Sequence, residues 1–187
     1  PSPDGRWVVG VRGSEPDWQF VTWDAATGRD VRVEPATRPA GSPWRPAVLG
    51  FDPAGAAWVV RPAGVAERVE VPGGAVTRTV RLPVAPGAWG RLGVSPDGRW
   101  LAVGGGATFA LRRTDADADW AVVERHPEPD GTGECLPQPT RCPTPCAFSP
   151  DGSKLLTLDR VGGVVAVWAV GAAPRRLVAK AADPTPW

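Results

Sequence analysis

The sequence predicts an all-β chain of repeated four-stranded antiparallel units, and three observations carry that prediction. The hexapeptide SPDGRW stands at Ser2–Trp7 and again at Ser95–Trp100, with a near copy, SPDGSK, at Ser149–Lys154 and a divergent DPAG at Asp52–Gly55. Apolar residues around these copies alternate with a period of two, the period of a strand with one face buried. Gly and Pro, 23 of each in 187 residues, punctuate the chain, while ten tryptophans and 42% hydrophobic residues supply the core that a disordered Gly/Pro-rich segment lacks.

The corners come first. In Ser95-Pro96-Asp97-Gly98 the proline pre-sets φ near about −65°, the serine at the first position caps the turn, and the glycine takes a left-handed conformation cheaply. That chemistry predicts a hairpin bend, a type I turn closed by a glycine bulge. The same bend is read at Pro3-Asp4-Gly5, at Pro53 and Gly55, and at Pro150-Asp151-Gly152. The four closing glycines lie 50, 43 and 54 residues apart, close to the roughly 40 to 50 residues of one repeating sheet in radial architectures.

The flanking strands follow. Leu49 and Phe51, Leu92 and Val94, and Cys146 and Phe148 hold matching places before each corner, which assigns them to one face of an incoming strand. After each corner runs an apolar outgoing segment: Trp7-Val8-Val9, Ala57-Trp58-Val59-Val60, Trp100-Leu101-Ala102-Val103 and Leu155-Leu156-Thr157-Leu158. Near-continuous apolar runs of that length predict inner strands buried on both faces. A second hairpin supplies two further strands per unit, seen in Trp18–Asp24 with Arg29–Val33 and in Val164–Ala169 with Arg175–Val178. No segment carries a sustained 3.6 period with caps, so no helix is expected.

Four strands per unit at this period resembles a β-propeller blade. More narrowly, FVTWDAATGRDVRV at Phe20–Val33 resembles the third and fourth strands of a WD repeat, and CAFSPDGSKLLTL at Cys146–Leu158 resembles its first two. The repeats are degenerate. Trp23-Asp24 keeps the dipeptide, Trp168 is followed by alanine, and the sole histidine, His126, follows Arg125, so no Gly-His pair exists. The resemblance therefore places the chain among WD-like bacterial propellers without the buried Asp-His-Ser-Trp network of regular members. It covers residues 1–187 as a single segment of about four blades, with corners at 2–5, 52–55, 95–98 and 149–152 and a long loop insertion at 104–145. Pro1 enters directly in a corner and Trp187 stands where Trp44 and Trp89 stand, just ahead of an incoming strand. Both ends thus fall in phase with the repeat, and the expectation is part of a larger ring, a closed four-bladed ring being the alternative.

Charge narrows the partners. With 21 basic and 20 acidic side chains the formal charge is +1, too small a field to attract nucleic acid or an anionic bilayer. No apolar run reaches the roughly 18 to 20 residues of a membrane span, and the start of the chain lacks a basic-then-apolar leader pattern. Nucleic acid and membrane contact by this segment are accordingly not expected, and the compartment, cytoplasmic or extracytoplasmic, stays open. The absence of methionine means that Pro1 is no translation start.

Three stretches invite a chemical reading. Cys135, Cys142, Cys146 and His126 nominally number four zinc ligands, but they lack the paired Cys-x-x-Cys spacing that pre-organises a tetrahedral site. Cys146 aligns with Leu49 and Leu92 as an inward strand residue, whereas Cys135 and Cys142 are placed to form a disulfide across the proline-rich loop if the compartment is oxidising. TDADAD at Thr114–Asp119 has alternating carboxylates, yet Trp120 and His126 stand where a calcium loop needs glycine and glutamate. VGGGATF at Val103–Phe109 lacks the Gly-Lys-Ser/Thr ending of a phosphate loop. No serine or cysteine motif accompanies His126, so no catalytic residue, metal ligand or cofactor is assigned.

Recurrent placement of Trp7 with Trp100, and of Trp44 with Trp89 and Trp187, reads as packing between sheets. The function expected is a non-catalytic interaction scaffold whose loops meet a protein or peptide, within a larger multidomain bacterial protein. The alternatives are an accessory or catalytic propeller of an enzyme, peptidase-gating or sugar- or lactone-processing, and an extracytoplasmic TolB-like component.

Overall fold

The computed structural model describes residues 1–42, 45–82, 89–105, 108–115, 121–123, 143–159, 164–171 and 174–181. Among them there is no helix, and the strands form antiparallel sheets whose order follows the chain. The first sheet joins β1 (Trp7–Arg12), β2 (Gln19–Asp24) and β3 (Asp30–Pro35); the second joins β4 (Ala47–Phe51), β5 (Ala57–Arg61), β6 (Val65–Val69) and β7 (Val76–Arg81). The third contains β8 (Trp89–Val94), β9 (Trp100–Gly105), β10 (Thr108–Arg113) and β11 (Ala121–Val123). The fourth contains β12 (Pro143–Phe148), β13 (Lys154–Asp159), β14 (Val164–Ala169) and β15 (Arg175–Ala181). The chain divides into two compact units, Pro1–Val84 with the first two sheets and Ala85–Trp187 with the other two.

The corners at 52–55, 95–98 and 149–152 join consecutive strands, the corner at 2–5 leads into β1, and all four share one hydrogen-bond plan. Gly5, Gly98 and Gly152 donate their N–H to the carbonyls of Ser2, Ser95 and Ser149 at 2.8–2.9 Å, with φ of 71°, 70° and 70°, a region open to glycine without steric penalty. The serine hydroxyl accepts the N–H of the residue that opens the outgoing strand, Trp7 at 2.8 Å, Trp100 at 2.9 Å and Lys154 at 2.9 Å. It donates in turn to the aspartate two residues on, at 2.5–2.6 Å for Asp4, Asp97 and Asp151. In the divergent corner Asp52 replaces the serine and its Oδ1 accepts from the N–H groups of Ala54 and Ala56 at 3.0 and 3.1 Å. Its other oxygen meets Arg68 Nε at 2.5 Å. A polar group at the first corner position is thus satisfied in every repeat, which is what burial demands.

The repeat extends beyond the corners into register irregularities. Pairing of β2 with β3, β6 with β7, and β14 with β15 shifts by one residue at the equivalent point, leaving Val31, Thr77 and Leu177 as the extra residues. A bulge turns its extra residue out of the ladder, and Val31 and Leu177 are both exposed. The incoming strands bulge at Leu49 and at Cys146, so these two aligned residues share a backbone role.

Each unit has its own core. In the first, Phe20, Ala36, Val59 and Val69 are buried together, with Val9, Val11, Trp18 and Val48 packed around them. In the second, Ala102, Phe109, Leu111, Leu155, Ala166 and Trp168 form the cluster, with Trp100, Phe148 and Val170 against it. Trp168 donates its indole N–H to Thr157 Oγ1 at 3.0 Å and meets the Phe109 ring edge-on, centroids 5.0 Å apart. A fully buried side chain of this size stabilises by about 1.5–3 kcal/mol, and Phe109, Leu111 and Leu155 are all fully buried.

Two expectations are corrected here. The stretch 104–145 is not one loop: Gly104 and Gly105 end β9, and β10 and β11 lie within it, β10 pairing with both β9 and β11 in the third sheet. The glycine run masks a hairpin whose Phe109 and Leu111 alternate into the core. The outgoing strands are also not uniformly two-sided. β5 is buried at Ala57–Val60 and β9 at Leu101–Val103, whereas β1 is half-buried and Leu156 of β13 points outward between the buried Leu155 and Thr157.

Candidate functional site

The first unit carries an ionic ladder between its two sheets. On β3, Arg32 and Glu34 are two residues apart and so share the face opposite Val31 and Val33. On the neighbouring sheet Arg61 ends β5 and Glu67 lies on β6, where the register pairs Glu67 with Val59, two residues from Arg61. The Arg61 guanidinium places Nη1 2.6 Å from Glu34 Oε1 and Nε 2.7 Å from Glu67 Oε2. It also lies over the Phe20 ring, 4.8 Å from the centroid, where the ring's negative face attracts a cation.

Glu34 is held from its other side. Arg32 Nη2 stands 3.1 Å from Glu34 Oε2, and Arg32 Nη1 donates to the Gly73 carbonyl at 2.9 Å. The Arg32 head rests where a side chain at residue 74 would be: a Cβ on Gly74 would lie 2.0 Å from Arg32 Cζ. Gly74 also has φ of 78°, so both space and backbone call for glycine there. Burial alone would raise the Glu34 carboxyl, yet hydrogen bonds from Arg61 and Arg32 hold it below its ordinary range. Burial would likewise favour a neutral Arg61, and Glu67 and Glu34 outweigh it, raising its affinity for the proton. Glu34 and Arg61 thus hold each other in the charged form.

Beside the ladder opens a groove of about 430 Å³. Glu34, Pro35 and Thr37 bound it on one side, Val65, Glu67 and Val76 on the other, with Arg61 at its floor. Ligand sites typically measure about 300–1,000 Å³ and combine apolar walls with a few placed polar groups. Both Glu34 oxygens are engaged by arginines, whereas Glu67 uses Oε2 and its Oε1 has no donor among the described residues. Chemically the groove offers one acceptor, apolar walls and a rigid floor.

The residues singled out from sequence lie elsewhere. Pro3, Asp4 and Gly5, Pro53 and Gly55, Pro96, Asp97 and Gly98, and Pro150, Asp151 and Gly152 all sit in the corners described above. In the second unit two corners touch: a Cβ on the buried Gly152 would lie 3.0 Å from the Asp97 carboxylate. Cys135, Cys142, His126, Trp44, Trp187, Asp117 and Asp119 lie outside the described residues, and with them the expected disulfide. Of TDADAD, Thr114 donates its hydroxyl to the Gly98 carbonyl at 2.6 Å and Asp115 pairs with Arg113 at 2.6 Å. Arg32, Glu34, Arg61 and Glu67 were not singled out; their signal was a charge at the end of a buried run, WVVR, opposite an Arg-x-Glu alternation.

No protein-family model matches the chain, and no curated protein matches it. Among solved structures it resembles hydrazine synthase of Kuenenia stuttgartiensis, with a TM-score of 0.62 at 17% identity over 90% of this chain and 51% of that one. It resembles equally a protein from Lactobacillus plantarum solved by a structural genomics consortium, with a TM-score of 0.62 at 16% identity over 98% of this chain and 55% of the other. The fold is all-β and propeller-type. The chain spans about half the length of these structures, and at such identities the likeness extends to the fold alone.

Proposed function

We propose that this chain is a non-catalytic interaction scaffold, a WD-like propeller segment of a larger bacterial protein that presents loops and inter-sheet grooves to a protein or peptide. One observation carries the reading: the Arg32–Glu34–Arg61–Glu67 ladder ties two sheets together while an open groove of about 430 Å³ runs alongside it. A concavity with a fixed floor binds without first having to order itself, which lowers the entropic cost of association. Its rim is formed by residues that do not recur in the other repeats, which is where a repeated scaffold stores individuality. The hydrazine synthase neighbour lends nothing to an enzymatic reading, because a likeness at 17% identity carries fold only.

Affinity capture from the source organism, with the chain and a second bait whose segments 15–17, 37–42 and 72–74 are exchanged for Gly-Ser, tests this. A partner held in a fixed ratio by the first bait and lost by the second is the expected result. Retention of every partner by the exchanged bait, or substrate turnover by the chain alone, would contradict the reading.

A further inference from the structure

We infer that the groove between the end of β3 and the β6–β7 hairpin binds an extended peptide segment carrying one basic side chain. The inference rests on the scaffold reading above and gives it a ligand class. Three features of the groove converge on that occupant.

Its charge is the first. Arg61 stands between two carboxylates, and the arginine that balances Glu34 from behind, Arg32, does not line the groove. The four ladder charges balance, and the local preference for a cation comes from Glu67 Oε1, the carboxylate oxygen lacking a donor among the described residues. A lysine or arginine head entering there gains a charge-assisted hydrogen bond without breaking any that exists. An entering carboxylate would meet repulsion instead.

The walls are the second. Pro35, Val65 and Val76 face the space, and Val76 is 48% exposed. Small apolar walls about a single polar anchor suit the alternating side chains of an extended strand, one pointing into the acceptor and its neighbours lying against valine and proline. The edge is the third. β3 is the last strand of its sheet among the described residues, and edge strands recruit extended segments by main-chain hydrogen bonds. A compact small molecule would use the groove and not the edge.

The test uses the 187-residue chain labelled with nitrogen-15 and a capped synthetic heptapeptide of alternating threonine and valine with a central lysine. Companion peptides carry norleucine or glutamate at the centre, and n-butylamine serves as the cation alone. The lysine peptide is expected to shift the amides of Val65, Glu67 and Val76 and to bind roughly tenfold more tightly than the glutamate peptide. Glu67→Gln should weaken it about fivefold. Val76→Arg, an exposed position whose change leaves the ladder intact, should block the groove to a similar or greater extent, while Leu177→Thr in the other unit should change nothing.

Equal binding of lysine and glutamate peptides, shifts confined to other surfaces, butylamine binding as well as the peptide, or indifference to both groove variants would each overturn the inference. Absence of peptide binding alongside a partner captured through the exchanged loops would remove the groove and leave the scaffold; absence of both would remove both.

Discussion

Arg61, at the end of β5, and Glu34, on β3, belong to different sheets, yet their side chains meet at 2.6 Å. The contact is partly shielded, with side-chain exposures of 15% for Arg61 and 28% for Glu34. Water screens it less than a surface pair, and the Phe20 ring beneath replaces solvent on one side. The link therefore fixes how the first two sheets meet and holds the floor of the groove.

Removing Arg61 leaves Glu34 and Glu67 close together without their shared cation. Arg61→Met should lower unfolding stability by about 2 kcal/mol, between the values of exposed and buried ion pairs. Urea denaturation followed by tryptophan fluorescence reads this directly. In a double-mutant cycle with Glu34→Gln the coupling should exceed about 1 kcal/mol; additive effects would mean that the two side chains do not act together.

The same corner tolerates change differently in different repeats. A Cβ on Gly5 meets nothing within 4 Å, whereas on Gly152 it would press within 3.0 Å of the Asp97 carboxylate. Gly5→Ala should cost only the left-handed backbone penalty, about 1 kcal/mol. Gly152→Ala should cost about 1 kcal/mol more, because the Asp97 carboxylate must give way while it is held by the hydroxyl of Ser95. Equal melting points for the two variants would refute the contact between corners.

Thr157 is fully buried and its hydroxyl accepts the Trp168 indole N–H. Trp168→Phe removes the donor and the edge contact with Phe109, so a loss of about 2–3 kcal/mol is expected. Adding Thr157→Val should recover part of it, since no buried hydroxyl then goes unpaired. Thermal melts of the single and double variants decide the matter.

The corner aspartates make the fold sensitive to acid. The hydroxyl of Ser149 first, then the amide and hydroxyl of Ser153, lower the Asp151 carboxyl from 3.8 to about 2. The hydroxyl of Ser2 lowers Asp4 in the same direction. The latch holds the ionised form, so its stabilisation is complete above pH of about 4 and is lost as pH falls toward 2. An NMR titration of the Asp151 carboxyl should give a midpoint near 2, rising toward the ordinary value in Ser149→Ala; an unchanged midpoint in that variant would dismiss the serine as the cause.

Much of the fold was legible because its signal is local. Turn chemistry fixes the corners residue by residue, and alternation on either side of Gly98 places β8 and β9. What stayed hidden depends on meetings between sheets. Nothing in the strand period says that Arg61 will lie over Phe20, or that Gly74 must be bare to admit Arg32, since 41 residues separate Arg32 from the carbonyl it binds at Gly73. The third sheet is hidden for another reason. Its β9 and β10 pair on either side of a glycine-rich run, so composition suggests a loop where Phe109 and Leu111 alternate into the core. Burial on both faces does not hold at β13, because a continuous apolar run does not reveal that Leu156 is left 36% exposed.

The most direct test of the ladder is the Arg61 side-chain N–H in solution. With the two sheets joined as described, the Arg61 Hε proton should exchange slowly with solvent and give nuclear Overhauser contacts to the Phe20 ring and to the Glu67 side chain, both unchanged by moderate salt. A freely exchanging proton without those contacts would mean that the first two sheets are not joined through Arg61, and that the groove has no fixed floor.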